Sequence, residues 1–488
     1  MAEPFIISLL SDVETPTSLF SKLEQYYPQA FLFESADGDK RMARFSLIGI
    51  DPILSVSLKD GAADVQFCHQ ERRQQISFQN PFDVLKQLKE DHLPDIGPLP
   101  RELEEIPLTA GWVGYLGYGM TRYFENIPQQ VLDVLNVPEA YLGLYDTVIV
   151  FDHLYRRIHF ISHREQQAAQ ALGNRFKTLL EEETASVKPM KPLFYQEMSD
   201  DELFSGISHS VSKEAYCAAV EQGKQYIKEG QIFQIVLAQR FSLPVHCPAL
   251  DVYRTAQAIN PSPYAYFLKF PEFHYLGSSP EMFIRCRDGN MTLRALAGTR
   301  HRGQTCAEDE QLALELRANE KEMAEHRMLV DLGRNDVGRV CQAGSVSVGE
   351  LAQVIRYSHV MHLATEINGI LKPTTNGYDA VQSCFPRGTV SGAPKIRAMQ
   401  LLSQLEPEQR GVYSGMVGYI DHRGDTDGAI AIRSALVKDG QAHVHAGAGV
   451  VYYSDTEAEY EETRNKAKSI LKAIKLAERM SADDTVFA

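Results

Sequence analysis

The chain has 488 residues, 44% hydrophobic and 23% charged, a composition that suits one large globular unit or two to three domains of ordinary size. Its 49 Lys and Arg against 64 Asp and Glu give a formal charge of −15, which excludes a general nucleic-acid or anionic-membrane surface. An anionic substrate would therefore need a local cation to hold it. The N-terminus, MAEPFIISLLSDVETP, has no basic region before its short apolar stretch, so neither a signal peptide nor a membrane span is expected. Seven scattered cysteines without a CxxC pair point to a reduced, cytoplasmic protein with no disulfide framework and no thiolate metal site.

Up to about residue 180, short β-like runs such as ARFSLIGID, WVGYLGY and DTVIVFD alternate with turns, ahead of a helical stretch near EQQAAQALGNRFKTLLEEE. Residues 184–201 are polar with two prolines and form the best linker, dividing the chain into regions 1–183 and 202–480. The next segment, SKEAYCAAVEQGKQYIKEG, has helical spacing, with Ser212 as N-cap and Gly230 as stop. Beyond it strands and helices mix without regular βαβ alternation, which predicts an α+β class with substantial antiparallel sheet.

Two later helices carry acids on their inward stripe. At about 100° per residue, Glu322 and Glu325 share a stripe with Leu329 and Leu332, and Glu459, Glu462 and Lys466 share one with Ile470 and Ile474. Glu457 and Glu461 lie off that stripe and are expected to be solvated. If the two helices meet, four carboxylates crowd one site, and a hard divalent cation, Mg²⁺ best, would relieve the crowding. Two amphipathic helices with salt-bridged edges would give the same pattern, and spacing alone does not decide between them.

Just before the second acidic helix, GAIAIRSALVKDGQAHVHAGAGVVYYSD reads as two strands around an Asp439-Gly440 turn. A two-residue loop places Arg433 across from Ala446, beside Gly447 and Gly449, where guanidinium and backbone amides suit a carboxylate. An ordinary hairpin with a surface arginine is at least as frequent, but this one leads directly into Glu459. The segment from Gly388 to Lys395 lacks phosphate-loop spacing, AGAGVV lacks a dinucleotide fingerprint, and no HExxH is present. His359 and His362, on a strand, would point to opposite faces, so at most one joins a given site.

Together, LFESAD, WVGYLGY, GQIFQIVLAQRF, NPSPYAYF, GSSPE, LAGTRHRG, KEMAEHRMLVDLGRND, VMHL, RGTVSGAPKIRAM, YSGMVGY, AIRSALV, AGAGVV and EYEETRNKA resemble the chorismate-utilising enzymes, most closely the anthranilate synthase component I family, over residues 31–476. The resemblance implies two packed, largely antiparallel β-sheets with helices outside, shared by the N- and C-terminal regions. It implies conversion of chorismate and ammonia to anthranilate and pyruvate, in a hetero-oligomer whose glutamine amidotransferase subunit supplies the ammonia. No cysteine here sits in a GxCxG nucleophile turn, in keeping with that division of labour.

Position by position, the resemblance makes Glu325 and Glu462 the Mg²⁺ ligands, with Glu322 and Glu459 in the outer shell. Arg433 and Tyr413 would hold the enolpyruvyl carboxylate beside Gly447, Ala448 and Gly449, and Gly298, Thr299 and Thr389 would complete the substrate shell. Glu281 would be the general acid for the departing ring hydroxyl, and His362 would assist pyruvate loss. Gln234 stands where water-adding relatives carry a lysine base. Ala297 stands where many members of the aminodeoxychorismate synthase component I family carry a nucleophilic lysine, and alanine cannot attack the ring. Finally, Glu34 and Ser35, with Asn260, Pro261, Ser262 and Pro263, resemble a feedback site for L-tryptophan; a catalytically dead sensor is disfavoured because its acids are all present.

Overall fold

The computed structural model describes residues 3–35, 44–94, 96–128, 132–181, 196–357 and 360–482. Of the expected linker, residues 184–195 lie outside this set, as does His359. Ser212 caps helix Lys213–Lys228, its side chain accepting from the Ala215 amide, and Gly230 stops it with φ +73°.

All paired strands among the described residues are antiparallel, and they form two sheets of twelve strands. In the first sheet, strands Phe5–Leu10, Arg157–Ser162, Thr147–Asp152, Phe45–Ile50 and Ala30–Glu34 continue into Tyr264–Lys269, His274–Ser279, Ser434–Lys438, Gln441–Val450 and Gln234–Pro244. The seam is the pairing of Glu34 with Ala265. In the second sheet, Val360–Ile370, Asn290–His301, Met282–Arg287, Thr426–Ile430 and Met416–Asp421 continue into Gly111–Leu116, Ala140–Tyr145 and Leu54–Lys59. Its seam is the pairing of Gly418 with Gly114. Each sheet thus takes strands from both ends of the chain.

A central strand such as Thr147–Asp152 is buried along its whole length, and β-branched and aromatic residues suit it because both faces are covered. Phe31, Tyr266 and Tyr275 of the first sheet and Val113, Tyr115 and Val417 of the second fill the space between the sheets. The Tyr115 and Tyr275 rings lie 6.2 Å apart across it. Helices cover the outer faces. Ala467, Ile470, Leu471 and Ile474 of Thr456–Ala482 pack on the first sheet, and Leu329, Val330 and Val337 of Glu320–Val340 pack on the second. The expected α+β class and two packed antiparallel sheets with outer helices are what the chain forms.

Phe31 is 1% exposed, with ring contacts at 5.0 Å to Phe33 and Tyr145. Phe31→Ala should therefore cost about 3–5 kcal/mol, measured by chemical denaturation; a loss below about 1 kcal/mol would show that the layer between the sheets is not the core described here.

Candidate active site

The two acidic helices open onto one cavity of about 510 Å³. Asn319 caps the first, accepting from the Glu322 amide, and the Asp455 carboxylate accepts from the Glu457 and Ala458 amides at the start of the second. These caps fix the first turns from which Glu322, Glu325, Glu459 and Glu462 line the cavity. Glu325 Oε1 accepts from Gln234 Nε2 at 3.0 Å, and burial raises its pKa, with the like charges of Glu322 and Glu462 adding to the rise. Glu459 is 8% exposed; burial raises its pKa too, and its Oε2 has no hydrogen-bond partner. Glu462 pairs with Lys466 at 2.6 Å.

The stripe argument needs one correction. Glu462, placed on the inward stripe, has a side chain 47% exposed, while Glu459 is the buried acid. The stripe turns towards a solvent-filled cavity at Glu462 and reaches the core only about two turns later, at Ile470. Glu457 and Glu461 are solvated, with side chains 71% and 49% exposed. Among the described residues, no three His, Cys, Asp or Glu side chains converge into a ready-made metal cage. The donor set does fit a hard divalent cation: it is all oxygen, it crowds like charges, and it includes an orphaned buried carboxylate oxygen.

Facing the acids is a cationic wall. The Asp439-Gly440 turn forms with φ +50° and +72°, as a type I′ turn requires, and sets the expected register from Lys438↔Gln441 to Ala435↔Val444. The ladder stops there. Arg433 takes φ +52° and leaves the strand, so it does not pair with Ala446 as the register alone implies. Its guanidinium donates to the Lys466 carbonyl, and it still lines the cavity with Ala446, Gly447 and Gly449. A left-handed arginine costs about 1–2 kcal/mol, a strain of the kind folded proteins keep at functional sites. A Cβ on Gly449 would stand 2.9 Å from Gln234 Nε2 and would push aside the amide that Glu325 accepts from. Ala448 is buried on the opposite face of its strand, and of the expected site residues only its side chain does not line the cavity.

The remaining wall carries proton-handling groups. Glu281 is 7% exposed, and burial pushes its pKa from the ordinary 4.5 up to about 7 against the opposing Arg387 charge. Neither Glu281 Oε1 nor Thr389 Oγ1, both buried, makes a well-formed hydrogen bond within the protein. His362 Nδ1 lies 2.8 Å from the Gly298 carbonyl, an acceptor only, so Nδ1 carries the proton and Nε2 is left as acceptor. Burial lowers the His362 pKa, which keeps the ring neutral, and Thr299 Oγ1 stands 3.2 Å from the same Nδ1. Gly298 needs its φ of +62° to aim that carbonyl. Ala297 lines the cavity beside them. Among the polar lining residues, sequence reasoning missed Lys321, Asn465, Lys466, although the i,i+4 spacing of Lys466 from Glu462 was a signal, and His445, which stacks on Tyr413 at 5.4 Å.

The profile of the chorismate binding enzyme family matches residues 28–472. The chain belongs to this family. It is 40% identical over 485 residues to anthranilate synthase component 1 of Acetivibrio thermocellus, covering 97% of this chain and 95% of that one. It is 38% identical to the protein of that name from Bacillus subtilis (strain 168), over 98% and 93% of the two chains. The crystal structure of anthranilate synthase component I from Streptococcus pneumoniae TIGR4 superposes with a TM-score of 0.77 at 33% identity, covering 95% of this chain and 99% of that one. The chain is accordingly a lyase-type, chorismate-utilising enzyme.

A second cavity of this family member, about 320 Å³, lies between the sheets. Glu34, Ser35 and Pro263 line it with Arg285, Tyr419 and Asp427. The Ser35 hydroxyl is buried without a partner, whereas Glu34 accepts from Thr17 and Tyr253, at 3.1 and 2.6 Å. Asn260, Pro261 and Ser262 do not line it; Asn260 turns its carbonyl to the Ser278 hydroxyl, at 2.6 Å.

The Glu281 shift makes a pH prediction. Below about pH 4.5 its carboxyl is neutral in folded and unfolded chains alike; between 4.5 and about 7 only the unfolded chain ionises, so Glu281 contributes stability at low pH that is lost as pH rises through about 7. Glu281→Gln, which does not titrate, should gain on the wild type by on the order of 3 kcal/mol between pH 4.5 and pH 8. Denaturation curves at several pH values read this difference, and a gap that does not change with pH would remove the raised carboxyl.

Proposed function

We propose that the chain converts chorismate and ammonia to anthranilate and pyruvate in tryptophan biosynthesis, with Mg²⁺ as cofactor, ammonia from a partner glutamine amidotransferase subunit, and feedback inhibition by L-tryptophan. The observation that carries this reading is the pairing, in one cavity, of a buried acid that keeps its proton near neutral pH with a neutral amide where a water-activating base would stand. Glu281 can protonate a departing ring hydroxyl, which leaves as water, while Gln234 offers no base strong enough to deprotonate water. Ammonia needs no such base, because its lone pair, unlike those of water, is nucleophilic enough to attack without prior deprotonation.

Arg433, Lys466 and the amides near Gly447 and Gly449 suit the enolpyruvyl carboxylate. Glu325 and Glu462, supported by Glu322 and Glu459, suit the metal, which when bound supplies positive charge to the ring carboxylate. Tyr413, Gly298, Thr299 and Thr389 line the space left for the ring. With the amino group on the ring, His362 Nε2 can take the ring proton as the ring C–O bond breaks; the enolpyruvyl group departs as its enolate, takes a proton at its methylene carbon to become pyruvate, and aromatisation drives the step. Ala297 leaves no side-chain nucleophile where an aminodeoxychorismate-forming enzyme would carry lysine. The second cavity, with the unpartnered Ser35 hydroxyl, is the place for tryptophan.

Incubating the purified protein with chorismate, an ammonium salt and Mg²⁺ should yield fluorescent anthranilate. Aminodeoxychorismate as product would transfer the chain to folate chemistry, and isochorismate or salicylate would sink the ammonia reading altogether. Glu462→Gln should abolish Mg²⁺-dependent turnover while Glu461→Gln leaves it near normal; equal activity in both variants would break the metal assignment. Ser35→Phe should retain turnover but lose inhibition by micromolar tryptophan, and unchanged inhibition would take the feedback site elsewhere.

A further inference from the structure

Behind the cavity wall lies a charged residue that does not itself line the cavity, although its guanidinium sits 5.9 Å over the ring of Tyr413. Arg410 has a side chain 1% exposed, and all five of its N–H donors are used. Nε and Nη2 grip Glu406 in a fork, at 2.8 Å to Oε2 and 2.5 Å to Oε1. The other Nη2 proton goes to the Val236 carbonyl at 2.7 Å. Nη1 donates to the Val390 carbonyl at 2.6 Å and to Ser414 Oγ at 3.0 Å. Glu406 Oε1 in turn accepts from the Ala238 amide at 2.9 Å, and the guanidinium sits 4.8 Å over the Tyr118 ring.

Each of the three segments so tied carries a cavity residue. Val236 follows Gln234 by two positions, Val390 follows Thr389, and Ser414 follows Tyr413. Two of these segments, the turn Gly388–Val390 and the Tyr413–Ser414 corner, are not held by sheet ladders, and Ser414 takes φ +70°. A planar fork with five fixed donor directions can hold three such segments and Glu406 at once; a lysine, with three donors on one nitrogen, cannot make all five bonds. We propose that Arg410, oriented by Glu406, is a positioning residue that sets the mutual placement of Gln234, Thr389 and Tyr413 for the reaction. This rests on reading the cavity as the reaction site.

The test compares wild type with Arg410→Lys and Glu406→Gln, and with Arg164→Lys as control. Arg164, with a side chain 13% exposed, is paired to Asp146 and Asp51 away from the cavity. Arg410→Lys should lower kcat with chorismate by on the order of 100-fold. Its KM should move less than tenfold, on the order of 1.4 kcal/mol or below, because Arg433 and Lys466, which meet the anion, are not held by Arg410. Arg164→Lys should lower the melting temperature without lowering kcat of the folded fraction. Should Arg410→Lys fail to fold, Glu406→Gln decides, with an expected kcat loss of about tenfold. Wild-type kcat in whichever of these variants folds overturns the proposal.

Hydrogen exchange supplies a second arm that does not depend on the reaction. Amides of 388–391 and 413–415 should exchange at least about tenfold faster in Arg410→Lys than in Arg164→Lys. Equal exchange overturns the proposal even if chorismate proves not to be the substrate, whereas a wild-type chain that leaves chorismate untouched counts against the reaction assignment alone.

Discussion

Four carboxylates facing one cavity set the terms for everything around it. Left without a counter-charge, buried like charges take up protons or push apart. Here each is managed differently. Glu462 stays in solvent contact beside Lys466, Glu325 leans on the Gln234 amide, Glu322 sits at a capped helix start 3.8 Å from Arg300, and Glu459 keeps an oxygen unpaired. Arg433 and Lys466, the latter on the same helix as Glu459 and Glu462 and paired to Glu462, set positive charge against them in the cavity. In a chain of net charge −15, an anion in this cavity would depend on that opposition of charges.

The opposition depends on the fold in a direct way. Arg433 and Lys466 come from the first sheet and the helix that covers it, Glu322 and Glu325 from the helix covering the second, and His362 and Ala297 from the second sheet itself. The cavity exists only because the two sheets and their helices meet at a fixed distance, and each sheet is closed by a seam between early and late strands. Loosening the aromatic layer around Tyr115 and Tyr275 would therefore act on the chemistry, although none of those rings reaches the cavity.

Much of this was legible from local pattern. The 3.6-residue period placed Glu322 and Glu325 on the inward stripe, and the Asp-Gly pair fixed the hairpin register to the residue. Both are short-range rules, set by helix pitch and turn geometry. What the pattern could not carry was tertiary. Whether Glu462 or Glu459 is the buried acid depends on where a cavity interrupts the core, not on helical phase. Arg433 leaves its register with the Gln441–Val450 strand at a left-handed φ, while on its other edge its carbonyl accepts from the Ser278 amide, at 3.0 Å, from a strand more than 150 residues earlier. The Glu406–Arg410 pair reads in sequence as an ordinary i,i+4 surface bridge, worth a few tenths of a kcal/mol; only the folded chain shows it buried and bound to three carbonyl- or hydroxyl-bearing segments.

Ser278, which lines neither cavity, ties the Asn260–Ser262 segment to the wall of the first. Its hydroxyl donates to the Asn260 carbonyl, and its amide donates to the Arg433 carbonyl. Three residues on, past the end of its strand, stands Glu281. The segment Asn260–Ser262 therefore does not reach the second cavity itself, but it is tied to a residue that holds both Arg433 and, through the chain, Glu281. A ligand under Ser35 and Pro263 would press on the start of strand Tyr264–Lys269, which is hydrogen-bonded along its length to the Ser278 strand, with Tyr264 opposite Ser279. Coupling of this kind requires two arrangements of a packed element, not a wire of contacts. The element between the two cavities is the short His274–Ser279 strand, paired on one edge with Tyr264–Lys269 and on the other with Ser434–Lys438, and meeting at Ser278 the carbonyl of Arg433, a residue already in a left-handed conformation.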